Sequence, residues 1–258
     1  MTCDNQQPST YGTVALLGSG EYLPVMNEVD IYLLETVGGA QSARMALLPT
    51  ASGLEPMGAT LWNDLGLEHF KQLGVSDIRA TRIIDAASAN DAAQVALLEN
   101  ANFFYFSGGN PYHIIDTMRD SLAWEHIQAA YKRGAVLAGC SAGAMMLGGQ
   151  TASLRQVMMG NEVEFKAALG IAPRLIVAPH FDRLASYMDQ EPFQYWLRSI
   201  PPEYTAVGID EDTALIRVEL NVEGSGKDRW RAMGRQTVQV FVSETQKRVL
   251  QSGEEIVL

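Results

Sequence analysis

Residues 134–149 read GAVLAGCSAGAMMLGG. The Val/Leu/Ala run that opens this stretch predicts a short buried strand, and the Ala/Met/Leu run that closes it predicts the start of a helix. Between them stands Gly139-Cys140-Ser141-Ala142-Gly143, a G-x-S-x-G in a strand–turn–helix setting. A serine on such a turn sits on strained backbone, and the chain reverses within a few residues, so its neighbours must be small. Gly139, Ala142, Gly143 and Ala144 meet that demand. Ser141 then projects above the sheet edge, and the Ala142 N–H, at the helix start, points to where negative charge would develop. Cys140 is expected to point back into the sheet as a small buried apolar residue. A Gly/Ala-rich turn with an exposed serine is the plainer reading of the same letters.

Upstream, Thr13–Leu17 predicts a strand ending in Gly18-Ser19-Gly20-Glu21. The third glycine of a dinucleotide fingerprint would fall at Leu23, so these residues read as a turn beside the site. Pro24 opens a helix with Val25, Val29, Tyr32 and Leu33 on one face. Arg44–Pro49 is a second strand, leading to the small-residue loop Thr50–Gly53. A helix then places Trp62, Leu65, His69 and Leu73 on one side, which makes His69 a core or boundary histidine. Val75–Ile84 predicts a third strand and Asp91–Glu99 a helix. The aromatic strand Asn102–Phe106 ends in Ser107-Gly108-Gly109-Asn110-Pro111, where two glycines let the backbone approach a ligand and offer N–H groups to it. Ser121–Arg133 predicts a helix with Trp124, Ile127 and Tyr131 facing in.

Downstream, Thr151–Leu169 is polar and helix-compatible. Leu175–Pro179 is a strand ending at His180-Phe181-Asp182-Arg183, followed by a helix over Leu184–Ser199 that Pro201-Pro202 stops. Thr205–Ile209 and Ala214–Leu220 are strands flanking Asp210-Glu211-Asp212. The tail reads as an antiparallel ribbon, Arg229–Met233 and then Val238, Val240 and Val242 on one face. Strands alternating with helices imply an α/β fold with a doubly wound, mostly parallel sheet and an antiparallel C-terminal extension. No repeat or linker interrupts it, so residues 1–258 read as one domain behind a polar arm, 1–12.

The totals narrow the function. A net charge of −11 without Lys/Arg clusters argues against nucleic acid. No stretch approaches the roughly 20 apolar residues of a membrane helix, and the N-terminus lacks the apolar core of a signal peptide, so a cytoplasmic protein without membrane contact is expected. Two cysteines, Cys3 and Cys140, build no disulfide framework. There is no HExxH and no Cys/His cluster, so neither a metal nor another cofactor is expected.

A serine hydroxyl needs a base, usually a histidine oriented by a carboxylate. His126 lies mid-helix and reads as surface or boundary. His113 follows the Gly108-Gly109 turn and could line the pocket. His180 ends a strand, where loops carry chemistry, and is the only histidine after Ser141. The acid cluster 210–212 follows it, so the order is serine, histidine, acid. An α/β-hydrolase runs serine, acid, histidine and is disfavoured, although Glu162 or Glu164 stands where its acid would be.

Taken together, GGN after an aromatic strand, GCSAGA at the elbow, a strand ending in His180-Phe181 and GIDEDTAL at 208–215 resemble the cyanophycinase and dipeptidase E family of serine peptidases. The resemblance implies the class I glutamine amidotransferase-like fold, and a triad of Ser141 as nucleophile, His180 as base and Glu211 as orienting acid. Asp210 is the runner-up acid, since adjacent carboxylates cannot be told apart by position. The implied oxyanion donors are the N–H groups of Gly109 and Ala142, with Gly108 and Asn110 beside them toward substrate. A homodimer is the assembly expected of that fold. The chain departs from the cyanophycinase pattern around the pocket: Asn110-Pro111 replaces an acid and an amide, Ala178-Pro179 an Asp-Gln, and Arg183 stands alone where several arginines follow. The activity that results is a serine-type exopeptidase on a small peptide or isopeptide, with aspartate as a candidate component. An amidase or esterase on a small molecule, or a non-catalytic ligand-binding descendant, are the alternatives.

Overall fold

The computed structural model describes residues 11–152, 156–157, 159–187, 190–242 and 246–258. Five parallel strands form its centre: β1 (Val14–Leu17), β2 (Arg44–Leu48), β3 (Asp77–Ala80), β4 (Phe103–Phe106) and β5 (Val136–Cys140), in spatial order β1-β5-β4-β2-β3. Every residue of β1, β4 and β5 is buried. Such strands are covered on both faces, which is why they read as unbroken apolar runs. Alternate residues feed two cores. Val14, Leu16, Phe104, Phe106 and Leu137 point to one, while Ala15, Leu17, Phe103, Tyr105 and Ala138 point to the other.

Helices α1 (Asn27–Glu35) and α2 (Gly58–Gln72) cover the second of these faces through Val29, Leu33 and Phe70. The short α3 (Ala86–Ala89) and α4 (Ala92–Ala96) flank the first core. Helices α5 (Pro111–Met118), α6 (Leu122–Tyr131) and α7 (Ala142–Leu147) fill it with Ile114, Ile115, Trp124 and Met146. Trp124, Ile127 and Tyr131 all face in. Phe104 is wholly buried there. Phe104→Ala is expected to lower the unfolding free energy by about 3–5 kcal/mol, read by urea denaturation.

A second sheet closes the same core from the other side. It runs β13-β12-β9-β8-β6-β7, built from β6 (Gly148–Thr151), β7 (Lys166–Ala167), β8 (Ala172–Ala178), β9 (Thr205–Ile209), β12 (Val238–Phe241) and β13 (Lys247–Leu250). The first sheet is extended antiparallel by β10 (Thr213–Glu219), β11 (Arg229–Gly234) and β14 (Glu255–Val257). The α/β fold with a parallel centre and antiparallel C-terminal additions is therefore present. The expected ribbon is not, because β11 pairs β10 in one sheet while β12 pairs β9 in the other. Gly234, at φ +117°, ends β11 where the chain crosses between sheets.

Several local expectations are corrected. Val25 is exposed because Pro24–Met26 is a 3₁₀ turn, whose three-residue period turns Met26 inward instead. Leu65 is exposed beside the buried stripe of Gly66, His69 and Phe70, and Val242 is exposed beyond the end of β12. The third strand covers only Asp77–Ala80, and Asp91 caps a helix that ends by Ala96. Among the described residues of 151–169, β7 pairs β6 where helix was expected; residues 153–155 and 158 lie outside the description. Of the helix expected over 184–199, the described residues form a 3₁₀ segment, Phe181–Tyr187, and α8 (Glu191–Ser199), which starts where Pro192 is tolerated, in a helix's first turn; residues 188–189 lie outside the description.

Candidate active site

The parallel register brings three loops to one edge. Leu17 of β1 pairs Cys140 of β5, and Gly139 of β5 pairs Phe106 of β4, so the residues that follow these strands emerge side by side at their carboxyl ends. Open α/β sheets bind ligands at that edge. Ser141 stands at the centre with φ 51° and ψ −111°, a backbone conformation that is strained for a residue with a Cβ. The turn tolerates it because its neighbours are bare. A Cβ on Gly139 would lie 2.3 Å from the Gly143 carbonyl oxygen, and one on Gly143 2.4 Å from that of Phe106.

Ser141 Oγ lies 2.9 Å from His180 Nε2, and His180 Nδ1 lies 2.7 Å from Glu211 Oε1. His180 comes from the loop after β8. Its N–H donates to the Gly18 carbonyl, and Phe181 beside it is fully buried against Gly208, between Phe193 and Phe241. Glu211 comes from the β9–β10 turn, where its N–H donates to Asp182 Oδ1 and its carbonyl accepts from Gln236. Arg183 closes a fork on the same carboxylate, Nε to Oε1 at 2.7 Å and a terminal nitrogen to Oε2 at 2.9 Å. The His180 and Glu211 side chains are 39% and 20% exposed, so solvent and ligand reach them.

The other candidates fall elsewhere. Asp210 Oδ2 accepts from Thr237 N–H and Oγ, tying the turn to the segment before β12. His113 Nε2 sits 2.7 Å from the Ile84 carbonyl oxygen, on the loop side of α5. His113→Ala is expected to cost about 1 kcal/mol in urea unfolding while kcat of the folded protein holds, because it removes one hydrogen bond, to the Ile84 carbonyl, that involves none of Ser141, His180 and Glu211. Asn110 Oδ1 caps α5, accepting from the Tyr112 and His113 N–H groups, with Pro111 in the first turn. Gly108 packs against the serine, its would-be Cβ 3.3 Å from Ser141 Cβ, but its N–H is committed to Glu21. The Gly109 N–H makes no backbone hydrogen bond among the described residues, and that of Ala142 opens α7, where N–H groups lack helical partners. His69, 5% exposed, pairs with buried Asp30 at 2.8 Å, as a core histidine does. Burial pushes the Asp30 carboxyl up, partly opposed by His69. His126 is half-buried on α6.

Cys140 is buried as expected, yet it is not simply apolar. Its thiol donates to Glu21 Oε2 at 2.9 Å, and burial together with that carboxylate pushes the thiol pKa well up. Glu21 is the residue that sequence reasoning missed here; its one signal was its place directly after G-S-G at the end of β1. A cavity of about 440 Å³ lies far from this edge, beside Arg217, Tyr131 and Trp230. Arg217 pairs there with Val14, the first residue of β1, whereas the serine follows the strands' other end.

Residues 14–223 match the profile of peptidase family S51. The chain belongs to that family. Two curated cyanophycinases, from Synechococcus elongatus and from Thermosynechococcus vestitus, are each 24% identical to it over 216 residues, which is 81% of this chain. The match spans only 63% of each cyanophycinase. Among solved structures, a peptidase from an acI-B1 Actinobacterium superposes with a TM-score of 0.81 at 28% identity, covering 98% of this chain and 99% of that one. By sequence the chain thus belongs to family S51, and it shares its fold with that solved peptidase. No helix among its described residues is long and apolar enough to cross a membrane.

Proposed function

We propose that this S51 chain is a serine-type exopeptidase that cleaves a small peptide or isopeptide through an acyl-enzyme on Ser141. The observation that carries the reading is the continuous relay from Ser141 Oγ to His180 Nε2 and from His180 Nδ1 to Glu211. Ser141 attacks the scissile carbonyl and His180 takes the hydroxyl proton, while Glu211 holds the ring in the required tautomer and stabilises the imidazolium. The Gly109 and Ala142 N–H groups stabilise the oxyanion; a single such donor is worth on the order of 3 kcal/mol. The intermediate collapses as His180 returns the proton to the leaving amine. A water molecule, deprotonated by His180, then cleaves the ester and frees Ser141.

The pocket's departures from the cyanophycinase pattern bear on substrate rather than on these steps. Asn110 is spent on capping α5, and Arg183 brings a cation to the site, 70% exposed while pairing with Glu211. Short aspartyl peptides and isopeptides therefore head the test panel. The experiment is intact mass after treatment with a serine-directed phosphonate, followed by turnover on peptide, amide and ester panels. One adduct mapping to Ser141 and turnover of peptides are expected. Turnover confined to esters or simple amides would replace the peptidase reading, and no adduct under forcing conditions would end the nucleophile reading.

A further inference from the structure

Glu21 is nearly enclosed, 9% exposed, and the steps above do not use it. A buried carboxylate is costly unless hydrogen-bonded. Glu21 meets that requirement with one group from the turn after β4 and one from β5: Oε1 accepts the Gly108 N–H at 3.0 Å, and Oε2 accepts the Cys140 thiol at 2.9 Å. In the sheet, β5 lies between β1 and β4. From the end of β1 the side chain therefore reaches past the strand that carries Ser141 to the turn after β4. It touches the residue before the serine and the residue before Gly109.

The backbone is bent to deliver it. Gly20 has φ +84°, and a Cβ there would lie 2.6 Å from Asp212 Oδ1. Tyr22, on the other side, holds φ +64° although it is not glycine, and is buried against Trp62, Phe70 and Tyr105. Strain persists at a buried residue only where the surroundings over-determine it. Here it flanks a side chain that joins the two glycine turns.

We infer that Glu21 is a positioning residue that fixes the Gly108-Gly109 turn against the serine elbow, so that the Gly109 N–H is aimed at the oxyanion. The inference rests on the reading of Ser141 as nucleophile. Glu21 makes no contact with substrate; it acts through Gly108 and Cys140. The raised thiol pKa of Cys140 keeps that group a donor, consistent with its contact to Glu21.

Two near-isosteric variants test this. Glu21→Gln keeps an oxygen that accepts from the Gly108 N–H, whereas Glu21→Met keeps none. Each is read for the rate of phosphonate adduct formation on Ser141, for the thermal midpoint, and for the Gly108 amide proton shift in ¹⁵N-labelled protein. Glu21→Met is expected to slow adduct formation by about 10²-fold or more and to move the Gly108 amide upfield, since it misplaces an oxyanion donor. Glu21→Gln should return to within about tenfold of native. If Glu21→Met does not fold, Glu21→Ala is held to the same criterion. Labelling of folded Glu21→Met at the native rate overturns the inference, as does equal slowing in both variants. An effect confined to KM for peptides with a free amine also overturns it, by making Glu21 a substrate contact. A native chain that forms no Ser141 adduct defeats the nucleophile reading instead; the Gly108 shift then decides whether Glu21 holds the turn.

Discussion

Ser141→Ala is expected to lower kcat on a susceptible peptide by on the order of 10⁵–10⁶-fold, with KM little changed. The size follows from the proposed mechanism: with Oγ gone, His180 and Glu211 would have no nucleophile to activate, and only the N–H donors and substrate binding would still act. The replacement is sterically mild. Alanine removes one oxygen, so the strained turn keeps its geometry and the thermal midpoint should stay within a few degrees. The check is steady-state kinetics beside calorimetry on the same preparations. A variant that keeps more than a few per cent of native turnover would place the chemistry elsewhere.

Glu211→Gln is expected to cost about 10⁴-fold in kcat, because an amide facing Nδ1 can present an N–H and favour the wrong histidine tautomer. The neighbouring Asp210→Asn should behave in the opposite way. Asp210 accepts from Thr237 twice and does not touch His180, so its loss is expected to lower stability by about 1–3 kcal/mol and leave kcat of the folded protein nearly intact. Measuring kcat and urea unfolding for the two variants side by side separates the adjacent carboxylates. A large kcat loss in Asp210→Asn with none in Glu211→Gln would reverse the assignment of the acid.

The amino-acid sequence by itself determined the parallel centre. The buried runs of β1, β4 and β5 are legible because a strand covered on both faces must be apolar throughout, and that demand is local. It also determined the turn at Ser141, since only glycine fits at 139 and 143, where a Cβ would lie 2.3–2.4 Å from a carbonyl oxygen. The order serine, histidine, acid was equally open to inspection. Local phase was less secure: Val25 and Leu65 sit on faces shifted by a 3₁₀ turn and by the width of the buried stripe.

Tertiary structure alone decided which carboxylate meets His180. Asp210 and Glu211 are consecutive, and the side on which each emerges depends on the β9–β10 turn, pinned by contacts to Asp182, Gln236 and Thr237 from distant parts of the chain. It likewise decided that β11 and β12 part company between two sheets, because pairing with β10 and β9 is a long-range competition that alternation does not record. Glu21 belongs to the same class. It lies 87 residues before Gly108 and 119 before Cys140, and only strand register brings the three together. Periodicity and turn chemistry are written in neighbouring residues. The meeting of side chains across strand ends is fixed by register, which exists only once the sheet has formed.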